Sequence, residues 1–235
     1  MMQDFSFHRP TTVAEAVALL KSSREGKLLS GGQSYLPILK LGLAAPSHLV
    51  SLAKVAELEG IRVDGGRLVI GARETHASVH ESSVVSGAIR ALAGLAGGIG
   101  DAQVRNRGTL GGSIAHADPA ADYPAALLAL DAVVSTDRRT IPADQFFRGL
   151  FQTALGTDEV VTHVSFAIPQ QAGYQKFPHP ASKYAVVGVF VAQYPAGVRV
   201  GVTGARSSAF RWAEAERALT ARWAADAVTG GVPAA

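Results

Sequence analysis

Two glycine-rich segments carry the side chains that could hold an anionic ligand. The first is Leu28–Leu36 (LLSGGQSYL), and the second is Gly97–Tyr123 (GGIGDAQVRNRGTLGGSIAHADPAADY). Glycine permits positive φ and lets backbone N–H groups approach a phosphate without a Cβ in the way. Two such segments, far apart in one chain, predict a long dinucleotide cofactor held from two sides.

The residues around each glycine pair add the hydrogen-bond donors that a diphosphate requires. Hydroxyl or amide side chains surround both pairs: Ser30, Gln33 and Ser34 in the first segment, and Thr109 and Ser113 in the second. They donate hydrogen bonds without adding bulk positive charge. Each segment therefore combines amides with polar side chains suited to a diphosphate.

Two carboxylates follow the second glycine pair, at Asp118 and Asp122. A carboxylate accepts hydrogen bonds from ribose hydroxyls, which is the other requirement of a dinucleotide. Either residue could instead cap the helix predicted to begin at Tyr123, and for Asp122 both roles are compatible.

Neither segment matches a common phosphate-binding fingerprint. No Lys-Ser/Thr pair follows a glycine loop, so the chain has no P-loop. Gly94, Gly97, Gly98 and Gly100 end an alanine-rich helix instead of following a strand, so they form no Rossmann turn. Taken singly, each segment could equally consist of turns and helix caps.

Composition restricts the class of protein. The 235 residues are 48% hydrophobic and 17% charged, which is typical of a folded protein. No apolar run could cross a bilayer, and the N-terminus MMQDFSFHRP does not resemble a signal peptide, so we expect a cytoplasmic protein. The net charge of +3 is dispersed, which argues against nucleic acid as the main partner. Arg105 and Arg107 form the densest basic spot, inside the second segment, where a diphosphate would be the anion.

The sequence contains no cysteine. Disulfides, thiol catalysis and a conventional iron–sulfur cluster are therefore excluded.

The remaining pattern predicts a mixed α+β protein in three lobes. The predicted elements are a helix from Thr12 to about Ser23 opened by a Thr12–Glu15 capping box, a strand at Lys27–Ser30, a helix at Pro37–Leu41, a strand at His48–Leu52, a hairpin of Ile61–Val63 and Leu68–Ile70 around Asp64–Gly66, helices at Val84–Ala96 and Tyr123–Leu130, strands at Ala132–Ser135, Val160–Ile168, Ala185–Ala192 and Val198–Thr203, and a helix at Arg211–Ala225. The predicted lobes are residues 1–55, 56–170 and 171–235.

Several aromatic and histidine residues have simpler interpretations. His76 and His80 could share a helix face as metal ligands, but no third ligand is near, so we expect solvated surface histidines. Phe146, Phe147 and Phe151 are predicted to be core residues. Trp212 and Trp223 on the last helix are expected to be core or interface anchors, and His116 could contact a cofactor or pack the loop.

Together the two motifs resemble a known family. LLSGGQSYLPILKLGLAAPSHLVSL and IGDAQVRNRGTLGGSIAHADPAADYPAALLALDA are similar to the FAD-binding medium subunit of molybdenum hydroxylases. This is the carbon monoxide dehydrogenase medium-chain family, related to the flavin domain of xanthine dehydrogenase. The similarity runs from about Phe5 to the C-terminal helix.

The resemblance implies positions for FAD. It assigns the diphosphate to Ser30–Ser34 and Thr109–Ser113, and it places Ile99 and Gly100 in a segment beside the cofactor. Asp122 matches the acid that holds the ribose, with Asp118 beside it. The full implied set is Leu29, Ser30, Gly31, Gly32, Gln33, Ser34, Tyr35, Ile99, Gly100, Thr109, Leu110, Gly111, Gly112, Ser113, Asp118, Asp122, Val161 on the adenine, and Lys176 and Tyr184 near the flavin. Lys183 stands where many relatives carry an acid.

The resemblance also implies a fold. It is the FAD-binding fold of the p-cresol methylhydroxylase/vanillyl-alcohol oxidase type. An N-terminal α/β lobe and a second α+β lobe clamp FAD, and a sheet-and-helix lobe follows. Relatives continue past Gly231–Ala235, so we expect this third lobe to be shortened or its tail to be missing from the sequence.

The implied function is electron transfer. The partners would be a large molybdenum-cofactor subunit and a small subunit with two 2Fe–2S clusters, as a dimer of heterotrimers. Because this chain has no cysteine, the clusters must belong to another chain. Electrons would pass through FAD to a quinone, NAD or oxygen. No acid/base constellation for substrate conversion is evident. Two alternatives stay open: a self-sufficient flavin oxidase or dehydrogenase, and a non-catalytic nucleotide-binding module.

Overall fold

The computed structural model describes residues 4–228. The strands are β1 (Ser6–His8), β2 (Gly26–Leu29), β3 (His48–Ser51), β4 (Ile61–Asp64), β5 (Arg67–Gly71), β6 (Val133–Thr136), β7 (Thr140–Pro142), β8 (Phe147–Gly149), β9 (Gln152–Thr153), β10 (Val161–Ala167), β11 (Gln171–Pro178), β12 (Ala185–Tyr194), β13 (Gly197–Thr203) and β14 (Phe210–Arg211). The helices are α1 (Val13–Ser22), α2 (Tyr35–Lys40), α3 (His76–Glu81), α4 (Ser83–Ala88), α5 (Arg90–Gly97), α6 (Ala102–Arg105), α7 (Leu110–His116), α8 (Tyr123–Ala129), α9 (Ala143–Phe146) and α10 (Ala213–Ala221). Residues Gly231–Ala235, at which we expect the third lobe to be shortened or its tail to be missing, lie outside the described residues.

The N-terminal lobe is a three-stranded parallel sheet in the order β1-β3-β2, with α1 packed on it. The hydroxyl of Thr12 caps α1 by accepting from the Glu15 N–H. The Glu15 carboxylate accepts from the Thr11 N–H, so the predicted capping box forms one of its two bonds at Thr12. Because the first glycine pair follows β2, it lies at the carboxyl end of a parallel strand, as predicted.

The second lobe is built on an antiparallel sheet in the order β4-β5-β10-β6-β7. The predicted hairpin of β4 and β5 is present, and Gly65 and Gly66 at its tip have φ of +54° and +74°. Apolar side chains of this sheet pack with α5 and α8 into the largest core of the described residues. This sheet therefore supports the α7–α8 region that carries the second glycine segment.

Two predicted helices differ from the structure. The segment predicted as Val84–Ala96 forms α4 and α5, which are separated at Ile89, where φ is −143°. Ile89 is buried, so the break lets both short helices turn apolar side chains into the core. The last helix is shorter than predicted because Phe210 and Arg211 pair with β13 as β14, and the extended Arg222 ends α10.

The third lobe is an antiparallel sheet in the order β11-β12-β13-β14. Helix α8 packs on one face, and α10 packs on the other. The contact with α8 is close, because a Cβ on Gly201 would collide with the Ala125 carbonyl. The alternation of β12 and β13 predicted both strands, whereas β11 has no buried residue and was not predicted.

One aromatic prediction is wrong, and another loses one of its two alternatives. Phe151 was predicted to be a core residue, but it is 52% exposed at the tip of the β8–β9 hairpin, with φ of +52°. Trp223 is 44% exposed and lies beyond the end of α10, so it is not a core residue, and its role as an interface anchor stays a prediction. Phe146, in contrast, is fully buried.

Candidate cofactor site

The two glycine-rich segments line a single cleft with a volume of about 640 Å³. That volume lies within the usual range of small-molecule sites. The cleft runs between the N-terminal and second lobes and reaches the Ser182–Tyr184 segment of the third lobe. Of the residues predicted for the site, all but Leu110 and Lys176 line this cleft. Leu110 is fully buried in the main core.

The first segment presents unpaired backbone amides to the cleft. Gly32 has φ of +77°, a left-handed conformation that glycine adopts readily. The N–H groups of Gly32, Gln33 and Ser34 donate to no atom in the described part of the chain. Successive free amides at a turn form an anion-binding concavity. This turn therefore has the donors that a diphosphate needs.

The second segment uses its amides inside the protein. It forms the first turn of α7, where the Leu110 N–H donates to the Glu74 carbonyl (3.0 Å) and the Gly111 N–H to the Ala72 carbonyl (2.8 Å). The Gly112 N–H donates to Oγ1 of Thr109, which caps the helix. The amides of Leu110–Gly112 are therefore all bonded within the protein, and the role of this segment at the diphosphate stays a prediction.

The second segment also supports the first. The Thr109 hydroxyl donates to Oγ of Ser30 at 3.0 Å. Gly31 lies so close to the Arg107 carbonyl that a Cβ would collide with it, and a Cβ on Gly111 would meet Ala72 at 2.6 Å. Gly112 is different, because its nearest neighbour is a side-chain atom, Oγ1 of Thr109, at 2.8 Å from the Cβ position. The glycine pairs thus allow the two glycine-rich segments to pack closely, and they also leave backbone exposed to the cleft.

The basic spot inside the second segment holds the backbone of that segment. The Arg105 guanidinium donates to the carbonyls of Ile99 (3.1 Å) and Gly100 (3.2 Å). Gly100 has φ of +51°, and both carbonyls belong to the turn beside the cleft. Neither Arg105 nor Arg107 lines the cleft, and the bonds of Arg105 direct its guanidinium to the backbone of the turn.

The two carboxylates have different surroundings. Oδ1 of Asp118 accepts from the Ala120 N–H at 2.8 Å and stabilises its own turn. Asp122 precedes α8 but makes no capping hydrogen bond with its side chain. Its Oδ1 accepts from the Tyr174 hydroxyl and from the Lys176 ammonium at 2.9 Å. Burial raises the pKa of the Asp122 carboxyl, and the contacts with Tyr174 and Lys176 offset part of that rise.

The histidines do not form a metal site. His76 lines the cleft but is only 5% exposed, packed beside the Tyr123 ring, so the expectation of a solvated histidine is wrong there. Burial and the nearby Arg105 lower the pKa of His76 to about 4, and the ring is therefore neutral at pH 7. The exposed His80 donates through Nδ1 to the Ala93 carbonyl. Within residues 4–228, no group of three potential ligands could hold a metal ion.

Aromatic and apolar side chains complete the walls. Val161 lines the cleft where β10 begins, and His116 lies against the Phe151 ring with centroids 5.1 Å apart. Tyr184 lines the cleft as well, immediately after Lys183, which has φ of +64°, and its hydroxyl is hydrogen-bonded with the Ser34 side chain. Burial raises the pKa of Tyr184, as does the nearby Asp118. These surfaces suit the flat rings of a cofactor.

Sequence reasoning missed charged residues of the cleft, among them Arg73 and Glu159. Arg73 follows the β4–β5 hairpin and pairs with Glu59. Glu159 is almost fully buried and accepts from Arg139 (2.7 Å), the Gly156 N–H (2.8 Å) and the Thr136 hydroxyl (2.8 Å). The Arg139 hydrogen bond is the largest of the effects that lower the pKa of Glu159 to about 2. No motif marks either residue, because their partners are distant in sequence.

The fold and the cleft define a protein that binds an elongated anionic cofactor of the dinucleotide class. The free amides suit a diphosphate, the carboxylates suit ribose hydroxyls, and the apolar walls suit planar rings. Within the described residues, no helix is long and apolar enough to cross a membrane.

Comparison with known proteins names the cofactor. Residues 3–171 match the family described as the FAD binding domain in molybdopterin dehydrogenase. The chain is 38% identical to the carbon monoxide dehydrogenase medium chain of Hydrogenophaga pseudoflava over 220 residues, covering 88% of this chain and 77% of that one. It is 36% identical to the nicotine 6-hydroxylase medium subunit of Paenarthrobacter nicotinovorans, covering 89% and 78%. A crystal structure of the Hydrogenophaga enzyme matches with a TM-score of 0.91 and 37% identity, over 97% of this chain and 84% of that one.

The chain belongs to the FAD-binding domain family of molybdopterin dehydrogenases. It is an oxidoreductase subunit of the molybdenum hydroxylase type, and its cofactor is FAD. The resemblance drawn from the two glycine-rich motifs is thereby confirmed. The mixed helix-and-sheet fold agrees with that of the matched medium chain.

Proposed function

We propose that this chain is the electron-transfer subunit of a molybdenum-containing hydroxylase. The observation that carries the proposal is the single cleft in which the free amides of Gly32–Ser34 lie opposite α7 and which ends at Tyr184. FAD, when bound, supplies the redox chemistry by accepting electrons and passing them to a quinone, NAD or oxygen. The protein supplies binding, orientation and electrostatics.

The residues divide the binding of FAD among them. The amides of Gly32, Gln33 and Ser34 hold the diphosphate, while Thr109 fixes Ser30 beside it. Asp122 and Asp118 face the ribose hydroxyls from the end of the second segment. Val161 packs on the adenine, and Tyr184 covers the flavin end. The fold is of the p-cresol methylhydroxylase type, with two lobes clamping the cofactor.

The absence of cysteine assigns the electron donor to another chain. The partners are a small subunit carrying two 2Fe–2S clusters and a large molybdenum-cofactor subunit, arranged as a dimer of heterotrimers. This proposal is supported by the relatives, which are named medium chains or medium subunits. The large subunit would then determine the substrate, so the chain alone should not oxidise small organic substrates.

Gly112→Asp tests the cleft as the FAD site. Gly112 lines the cleft, and a Cβ there would come within 2.8 Å of Oγ1 of Thr109. Gly112→Ala adds the same Cβ without the charge, so its melting temperature and FAD affinity measure the steric part of the effect. We expect the new carboxylate to repel the diphosphate and to weaken FAD binding by about 100-fold or more, a loss of about 2.7 kcal/mol. Titration of apoprotein with FAD, followed by flavin fluorescence, measures the dissociation constant.

Gly94→Asp is the matched control. Gly94 is exposed on α5, has no atom near its Cβ position and does not line the cleft. The same charge there should leave the FAD dissociation constant unchanged. Stoichiometric flavin retained by Gly112→Asp would refute the site. Reduction of the bound flavin by organic substrates without partner subunits would refute the electron-relay role.

A further inference from the structure

One buried ammonium group connects three segments of the cleft wall. The Lys176 side chain on β11 is 11% exposed, and its Nζ contacts Oδ1 of Asp122 (2.9 Å), the Gly98 carbonyl (2.8 Å) and the Lys183 carbonyl (3.1 Å). A lysine ammonium has three N–H donors. All three have acceptors within the protein, and Lys176 does not line the cleft. This lysine therefore has no donor left for a bound cofactor.

The three acceptors lie at the cleft or directly beside it. Asp122 itself lines the cleft, and Gly98 precedes Ile99 and Gly100, which line it too. Lys183 precedes Tyr184 at the flavin end. The ammonium thus joins the end of α5, the start of α8 and the β11–β12 connection. A displacement of any one of these segments would change the shape of the cleft.

The Lys183 turn is the segment that most needs support. Lys183 has φ of +64°, a left-handed conformation that is unfavourable for residues with a Cβ. Its N–H donates to the His179 carbonyl at 3.0 Å, and its own carbonyl accepts from Lys176. The Lys176 bond therefore stabilises the strained peptide that places Tyr184 at the cleft.

We propose that Lys176 is a positioning residue for FAD: its ammonium holds the Lys183 turn in the left-handed conformation and so fixes Tyr184 against the cofactor cleft. The inference rests on the proposed function for one point only, the identity of the ligand as FAD. It departs from the expectation that this lysine stands near the flavin, because the ammonium is fully occupied by protein oxygens.

Lys176→Met in the full chain tests the proposal through the FAD dissociation constant of the apoprotein. Loss of the ammonium releases one strained left-handed residue, so we expect about tenfold weaker binding. Glycine adopts positive φ without strain. Adding Lys183→Gly to Lys176→Met should therefore recover the part of the affinity that was lost through the turn, whereas the part lost through the unpaired Asp122 carboxylate stays lost. A direct contact between Lys176 and FAD predicts no such recovery.

A second pair of variants keeps Lys176 and Asp122 intact, in case Lys176→Met fails to fold. Asparagine tolerates the left-handed region, whereas a β-branched residue does not. Lys183→Val and Lys183→Asn remove the same charge. We expect Lys183→Val to bind FAD about tenfold more weakly than Lys183→Asn, by the same release of one left-handed residue.

Arg199→Met controls for general weakening of the third lobe. Arg199 on β13 bonds to the Leu128 carbonyl and pairs with Asp131 and Asp144, none of which lines the cleft. This variant should melt earlier with an unchanged FAD dissociation constant. Unchanged binding in Lys176→Met, no recovery by Lys183→Gly, or equal binding by the two Lys183 variants would each overturn the proposal. Failure of the wild-type chain to bind FAD would instead refute the proposed function.

Discussion

The glycines of the site show how one residue type serves two physical needs. Gly32 provides a left-handed turn and free amides, as the sequence pattern predicts. Gly31 and Gly111 are required because neighbouring backbone lies where a Cβ would be. Sequence alone identified all of these positions, but it could not distinguish the two needs, since close packing depends on residues that are distant in the chain.

Glu159 should make the stability of the protein depend on acid pH. Its folded pKa of about 2 lies below the ordinary value of 4.5 because of Arg139 and the other donors. A depressed carboxyl pKa contributes stability that is present above pH 4.5 and is lost as pH falls towards 2. Glu159→Gln should therefore lower the free energy of unfolding of the apoprotein at pH 7 by about 1.5–3 kcal/mol.

Urea unfolding at several pH values measures this effect. The difference between wild type and Glu159→Gln should shrink steadily below pH 4.5. Asp158→Asn is a matched control, because Asp158 is a more exposed neighbour whose ion pair with Arg138 should contribute only about 0–1 kcal/mol. A difference that stays constant from pH 7 to pH 3 would contradict this interpretation of Glu159.

Among the elements, those with a local signal were predicted and those defined by distant contacts were not. Asp64-Gly65-Gly66 predicted the β4–β5 hairpin because a tight turn needs positive φ. The break at Ile89 and strand β11 escaped prediction. Ile89 bends the chain to bury its side chain, and β11 is defined by its pairing with β12 instead of by its own alternation.

Helix α7 depends on a cap that also joins the two glycine segments. The buried Thr109 hydroxyl accepts from the Gly112 N–H and donates to Ser30. Thr109→Val keeps the shape but removes both bonds, so we expect a loss of about 1–2 kcal/mol in stability. Thr109→Ser retains the hydroxyl and should keep most of the wild-type stability. Thermal unfolding of the apoprotein measures both, and equal melting of the two variants would contradict the role of the cap.

At the scale of the whole molecule, the three lobes share their cores unequally. Phe190, Ala192 and Ala209 of the third lobe pack into the main core with the second lobe. The N-terminal lobe has a separate core of Ala16, Val17, Leu20, Val50, Leu52 and Val55, which Leu58 and Val160 of the second lobe join. The sequence predicted three lobes, but it could not show which of them share a core, because that depends on long-range packing.

This arrangement predicts that the N-terminal lobe opens separately in the apoprotein. Amide hydrogen exchange should give Val17 and Val50 a lower opening free energy than Val134 or Phe190, because local cores open as cooperative units. FAD bridges the lobes across the cleft, so FAD at 100 times its dissociation constant should raise the N-terminal values by about 2.7 kcal/mol, up to the limit of global unfolding. In Gly112→Asp at the same FAD concentration, the opening free energies of the N-terminal amides should stay low. Equal protection of both groups of amides without FAD would show that the lobes open as one unit, and it would refute this prediction.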